Sequence, residues 1–211
     1  MRKSITLFFL LLSISGISQQ YQKTEVIDKA KEYLKSSVGE NLYKYFELSP
    51  DSFYKYRTKS GKIKWENINE GKKTKGEFVN AKQMVFLLNH PDFQYKFVDK
   101  TIIVQLDSQL NLSEKINLDK IPKFLLNDKN SDWISEEKID KIISDQDLKK
   151  SIRKPIKRLE FDSKNKYYYW IVFNTLYQEM CFSNEEILWI SPKTGEILKH
   201  FEERQHQIDC K

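Results

Sequence analysis

The chain has 211 residues, with 36 Lys and Arg against 30 Asp and Glu, and 13 Phe, 11 Tyr and 4 Trp. So much aromatic surface beside only 6 Gly and 5 Pro supports a substantial core and excludes a disordered, fibrous or low-complexity protein. The formal charge of +6 is of the size that keeps a protein soluble, and is not the footprint of a nucleic-acid binder.

Residues 1–18 read as a secretory signal peptide. Arg2 and Lys3 form the charged end, Ile5 to Leu12 the apolar stretch, and Gly16-Ile17-Ser18 the small-x-small cleavage site. The apolar run is shorter than the roughly 20 residues a helix needs to span a bilayer, and no later stretch is apolar enough, so no membrane span is expected. No cysteine near the cleavage point offers a lipid anchor. Cleavage after Ser18 would start the mature chain at Gln19 and place it in the periplasm or outside the cell, where nucleic acid is an unexpected partner.

The mature chain divides into two passages, 19–130 and 131–211, each a helix followed by strands. In the first, Val26, Ile27, Ala30, Tyr33, Leu34 and Val38 share one helical face, so a helix is predicted over Glu25 to Val38, with Gly39 ending it. Phe53 to Tyr56 and Lys62 to Trp65 flank Ser60-Gly61 and predict a hairpin. Lys72, Lys73 and Lys75, with Gly71 and Gly76, mark an exposed loop. A second helix is predicted over Asn80 to Leu88, before His90-Pro91, and strands over Phe93 to Phe97 and Thr101 to Leu106.

The polar, breaker-rich stretch Asn127 to Asp132 is the expected boundary. Ser135 follows as a helix N-cap, with Glu136 and Glu137 in the first turn, Ile134 and Ile139 placed as a hydrophobic staple, and Ile139, Ile142 and Ile143 on one face. Strands are predicted over Leu159 to Phe161, Tyr167 to Phe173, Glu186 to Ile190 and Glu196 to Phe201. The second of these, unbroken in aromatic and β-branched residues, reads as a central strand covered on both faces. Turns fall at Asp162 to Lys166 and Ser191 to Gly195. The expected fold class is α+β, with antiparallel sheets each packed against one or two helices, because the connections are too short for crossover helices.

The second passage resembles a PepSY domain. The resemblance rests on the helix opening Ile134-Ser135-Glu136-Glu137, the strand containing Tyr169-Trp170-Ile171-Val172, and the strand-turn-strand Leu188-Trp189-Ile190-Ser191-Pro192-Lys193-Thr194-Gly195-Glu196-Ile197-Leu198. Members of that family end in a strand, a short Asp-x-x-Thr-Gly turn and another strand, packed under a helix; here Ser191 stands at the Asp position. They occur in propeptides of secreted metallopeptidases and in bacterial envelope proteins. The resemblance therefore implies a structural role for Thr194 and Gly195, and a secreted protein-binding or peptidase-inhibiting module whose partner is a secreted or envelope protein such as a peptidase. The first passage could be a diverged second copy.

Cys181 and Cys210 are the only cysteines. In an oxidising compartment they are expected to form a disulfide closing a loop of roughly 30 residues. The alternative is a metal site using His200, His206 and the two cysteines, but the spacing matches no standard zinc pattern. No cofactor is expected. The chain lacks His-Glu-x-x-His, Gly-x-Ser-x-Gly and any glycine-rich phosphate loop. His90, His200 and His206 read as surface or capping residues, and the pairs Glu136 with Glu137, Glu185 with Glu186 and Glu202 with Glu203 as solvated surface. The competing function, an envelope hydrolase using carboxylates, has little to build on. One charged cluster stands out: Lys149, Lys150, Arg153, Lys154, Lys157 and Arg158 form either a binding surface for an acidic partner or a solvated connector. Tyr167-Tyr168-Tyr169-Trp170 reads as sheet core or as a recognition surface.

Overall fold

The structure, a computed structural model, describes residues 19–69 and 71–206. The expected signal peptide, its cleavage site and Cys210 lie outside the described residues. Contacts group the rest into two compact units, 19–88 with 101–117, and 89–100 with 118–206. The chain divides at Asn117 to Leu118, whereas composition pointed to 127–132, and residues 89–100 join the second unit although strands of the first flank them.

In the first unit, α1 (Lys23–Val38) buries Val26, Ala30, Leu34 and Val38 at four-residue intervals. Gly39, at φ 83°, ends it by donating its N–H to the Lys35 carbonyl (2.9 Å), and the single turn α2 (Glu40–Tyr43) follows. Five antiparallel strands form the sheet: β1 (Phe46–Leu48), β2 (Phe53–Arg57), β3 (Ile63–Asn67), β4 (Glu77–Leu88) and β5 (Thr101–Leu106). β2 and β3 are the expected hairpin. The hub is β4, which pairs with β1 through residues 86–88, with β2 through residues 77–83, and with β5. Between β1 and β2 the Ser52 hydroxyl substitutes for a backbone group, accepting from the Val85 N–H (2.9 Å) and donating to its carbonyl (3.2 Å).

Two predicted elements are corrected here. The helix expected over Asn80 to Leu88 is part of β4. Register shifts against both β2 and β5 break the alternation of a strand. Burial then falls on Phe78, Ala81, Met84, Val85, Phe86 and Leu88, and within this set 81, 84, 85 and 88 have the spacing of a helical face although both edges are hydrogen-bonded to neighbours. The strand expected over Phe93 to Phe97 is a 3-10 turn, Pro91–Phe93, capped by His90 Nδ1 accepting from the Asp92 N–H (3.1 Å). Phe93 is fully buried, whereas Phe97 is 91% exposed at φ 62°, so the alternating aromatics do not share a face.

The second unit holds a four-stranded antiparallel meander of β6 (Ile156–Asp162), β7 (Tyr167–Gln178), β8 (Phe182–Ile190) and β9 (Ile197–His206), with the short helix α3 (Lys123–Leu126) and α4 (Glu136–Ser144). The two sheets thus differ in strand order. β7 is central and buries Tyr168 to Val172 consecutively, as its sequence foretold. Ser135 caps α4, its hydroxyl accepting from the Lys138 N–H (3.4 Å). One face of the sheet is closed by rings. Phe93 packs edge-on against Tyr168 (centroids 5.7 Å) and Trp133 (6.0 Å), Tyr95 meets Trp170 (5.5 Å), and Phe124 meets Trp133 (5.4 Å). Among the described residues no helix is long and apolar enough to cross a membrane. The fold is mixed α+β, mostly β, with two antiparallel sheets.

Candidate functional site

The turn Ser191 to Gly195 is built from its own side chains. The Ser191 hydroxyl accepts from the N–H groups of Lys193 (3.3 Å) and Thr194 (3.2 Å), the work a short polar side chain does at the start of such a turn, and Thr194 Oγ1 accepts from the Glu196 N–H (3.3 Å). Gly195 closes it with an N–H donated to the Ser191 carbonyl (2.9 Å) at φ 75°. A Cβ there would lie 2.5 Å from Ile142 Cδ1 and 3.2 Å from Ile134 Cδ1, so α4 and the residue that precedes its cap sit directly on this glycine. The Ile134 N–H also donates to the Pro192 carbonyl (2.8 Å).

Beside this turn, a cleft of about 850 Å³ opens within the second unit. Its wall is apolar and aromatic, with Trp133, Phe161, Tyr168, Leu126 and Leu198 among the lining residues. Four of the five charges at its border are matched, Lys166 with Asp119 (3.0 Å) and Lys193 with Asp132 (2.5 Å), while Lys123 on α3 stands there without an ion pair among the described residues. The Tyr168 hydroxyl donates to the Lys120 carbonyl (2.6 Å), and burial pushes its pKa well above the ordinary range. What the cleft presents is apolar surface within a rim of paired charges and one further cation, Lys123. Sequence reasoning found the turn but missed the wall: Trp133 and the stretch 118–126 carry no periodic pattern, and only their burial reveals them.

The basic residues do not gather. The segment between α4 and β6 is not helical, and its cations go to different places. Lys149 pairs with Glu202, and Arg153 Nε donates to Thr175 Oγ1 (2.9 Å). Lys157 lies 2.6 Å from Asp140 and over the Trp170 ring, while Arg158 pairs with Glu160 (2.5 Å) and lies over Phe173. Lys150, Arg153 and Lys154 are exposed without an ion pair among the described residues, and of these Arg153 is held by Thr175. Tyr168, Tyr169 and Trp170 are buried, which makes the aromatic run sheet core.

Glu185 and Glu186 depart most from expectation. They are 4% and 3% exposed, not solvated. Glu186 is fully engaged, accepting from Asn174 Nδ2 (2.7 Å) and the Lys149 N–H (2.9 Å) and meeting His200 Nε2 (2.9 Å). Burial alone would raise its pKa, but the bonds from Asn174, His200 and Lys149 outweigh it and hold the carboxyl below its ordinary value. Glu185 Oε2 has no hydrogen-bond partner.

Phe182 pairs with His206, so β9 ends beside Cys181, four residues before Cys210. Among the described residues no group of three or more His, Cys, Asp or Glu side chains could hold a metal ion. Comparison with family models, with characterised proteins and with solved structures gives no match.

Proposed function

We propose that the protein is a secreted or periplasmic, non-catalytic module of PepSY type that binds a secreted or envelope protein such as a peptidase through the cleft beside Ser191 to Gly195. The observation that carries this reading is the cleft itself. Its volume of about 850 Å³ suits one or two large apolar side chains of an extended segment, and both of its bordering carboxylates, Asp119 and Asp132, are spent on lysines rather than aimed at a reacting group. Secretion rests on the N-terminal pattern, and a Cys181–Cys210 disulfide agrees with where β9 ends.

Capture from the culture fluid and envelope fraction, repeated with Leu198→Asp, tests the reading. Leu198 is 39% exposed at the cleft border, so the variant should fold normally and lose the captured partner. Capture that survives the substitution would move binding elsewhere, and turnover of peptide, ester or glycoside that one carboxylate replacement abolishes would favour the hydrolase. Secreted protein should begin at Gln19 on N-terminal sequencing. Neither thiol should alkylate before reduction, which should then lower stability by about 3 kcal/mol.

A further inference from the structure

The face of the second sheet opposite the aromatic cluster opens into a shallow depression of about 440 Å³. Strand register arranges this face in three rows. Glu185 on β8 stands opposite Glu203 on β9. The next row, Ile156, Phe173, Ile187 and Phe201, is apolar across all four strands, and its outer members Ile156 and Phe201 are 52% and 36% exposed. In the third row Trp189 stands opposite Lys199, whose Nζ lies 3.7 Å from the indole centroid.

Two atoms on this face lack what their burial requires. Glu185 Oε2 is an acceptor with no donor, on a side chain more than nine-tenths buried, and Trp189 Nε1 is a buried donor with no acceptor. Two like charges directly opposite each other, Glu185 and Glu203, add a second unfavourable feature. The orphans are four residues apart on one strand, about 13 Å, on either side of the apolar row.

We propose that this face is the interface of a symmetric homodimer, formed by two copies stacking sheet on sheet about a twofold axis that runs along the apolar row. The face is its own complement under that operation. Exposed Glu203 of each copy meets exposed Lys199 of the other, and Ile187 and Phe201 meet their counterparts on the axis. A foreign ligand could match the acidic or the basic row, but a second copy matches both at once, because Glu203 and Lys199 lie two residues either side of Phe201 on β9. The same operation brings Arg153 towards Arg158 at the β6 edge, where each already has an internal partner, Thr175 and Glu160, and solvent screens the repulsion. The inference is independent of the cleft's role.

Charge swaps across the axis test it by sedimentation equilibrium on the full secreted chain. Lys199→Glu and Glu203→Lys each place like charges together twice per dimer and should weaken association at least about tenfold. Circular dichroism should show both variants folded. An equimolar mixture of the two should associate as a heterodimer, and the double variant should regain wild-type affinity, because either arrangement restores opposite charges. A chain that stays monomeric at about 100 μM, or a dimer that neither single substitution weakens, would overturn the proposal. In the monomeric case an extended peptide with one basic and one acidic end would be the occupant to seek.

Discussion

Glu185 and Glu186 are consecutive on β8, so the pleat sends them to opposite faces of one sheet, and the two faces treat them differently. On the face closed by the aromatic cluster, Glu186 receives donors from β7, from the segment before β6 and from β9. On the open face Glu185 is as deeply buried and keeps an oxygen without a donor. A finished face supplies a partner for every polar group it hides. A face that hides a carboxylate oxygen without one leaves that cost in the fold.

The largest expected effect breaks the finished face. Phe93→Ala removes a fully buried ring that touches Tyr95, Trp133 and Tyr168 and should lower the stability of the second unit by about 3–5 kcal/mol in denaturant titration. Phe201→Ala on the open face should cost the monomer much less, and equal losses would erase the distinction between the faces. Gly195→Val comes next. A side chain there meets Ile142 and must hold φ 75°, so a loss of about 2–4 kcal/mol is expected, visible as an early thermal transition.

The glutamates themselves sharpen the comparison through opposite signs. Glu186→Ala strands one Asn174 amide hydrogen and the Lys149 N–H and should cost about 2–3 kcal/mol, whereas Glu185→Leu, measured in dilute protein, should be neutral or stabilising by about 1 kcal/mol. Destabilisation by both would mean that Glu185 is satisfied. The smallest effect is the pH dependence. Because Glu186 is held below its ordinary value of 4.5, the unfolded chain binds its proton first as the pH falls. Its contribution is therefore complete above that value and is lost as the pH drops through the folded one. Glu186→Gln should flatten this part of the stability profile.

Much of the second sheet was legible. The run Tyr167 to Phe173 reads as the central strand of its sheet, the Ser135 cap carries its own acidic first turn, and the turn at Gly195 is marked by Pro and Gly. α1 was equally plain from its repeating apolar face. β4 was not, because strand irregularities gave a buried set spaced like a helix. Phe93 was misread because alternation with Tyr95 and Phe97 says nothing about which rings turn inward. The glutamate pair at 185–186 was read as surface because nothing local distinguishes a carboxylate that will find donors from three different chain segments. Those donors lie as many as 37 residues away, and a window of neighbouring residues does not contain them.

The excursion of residues 89–100 into the second unit has a consequence for synthesis. The chain passes between the units at Leu88, returns at Thr101 and leaves again at Asn117. As it emerges from the ribosome, everything the first unit needs is present once Asn117 is clear. Phe93 and Tyr95 emerge about as early, but the strands they cover are not made until residues 156–206 follow. Those rings stand bare for the time it takes to translate the rest, which makes residues 89–100 the stretch most in need of a chaperone while the nascent chain is still unfinished.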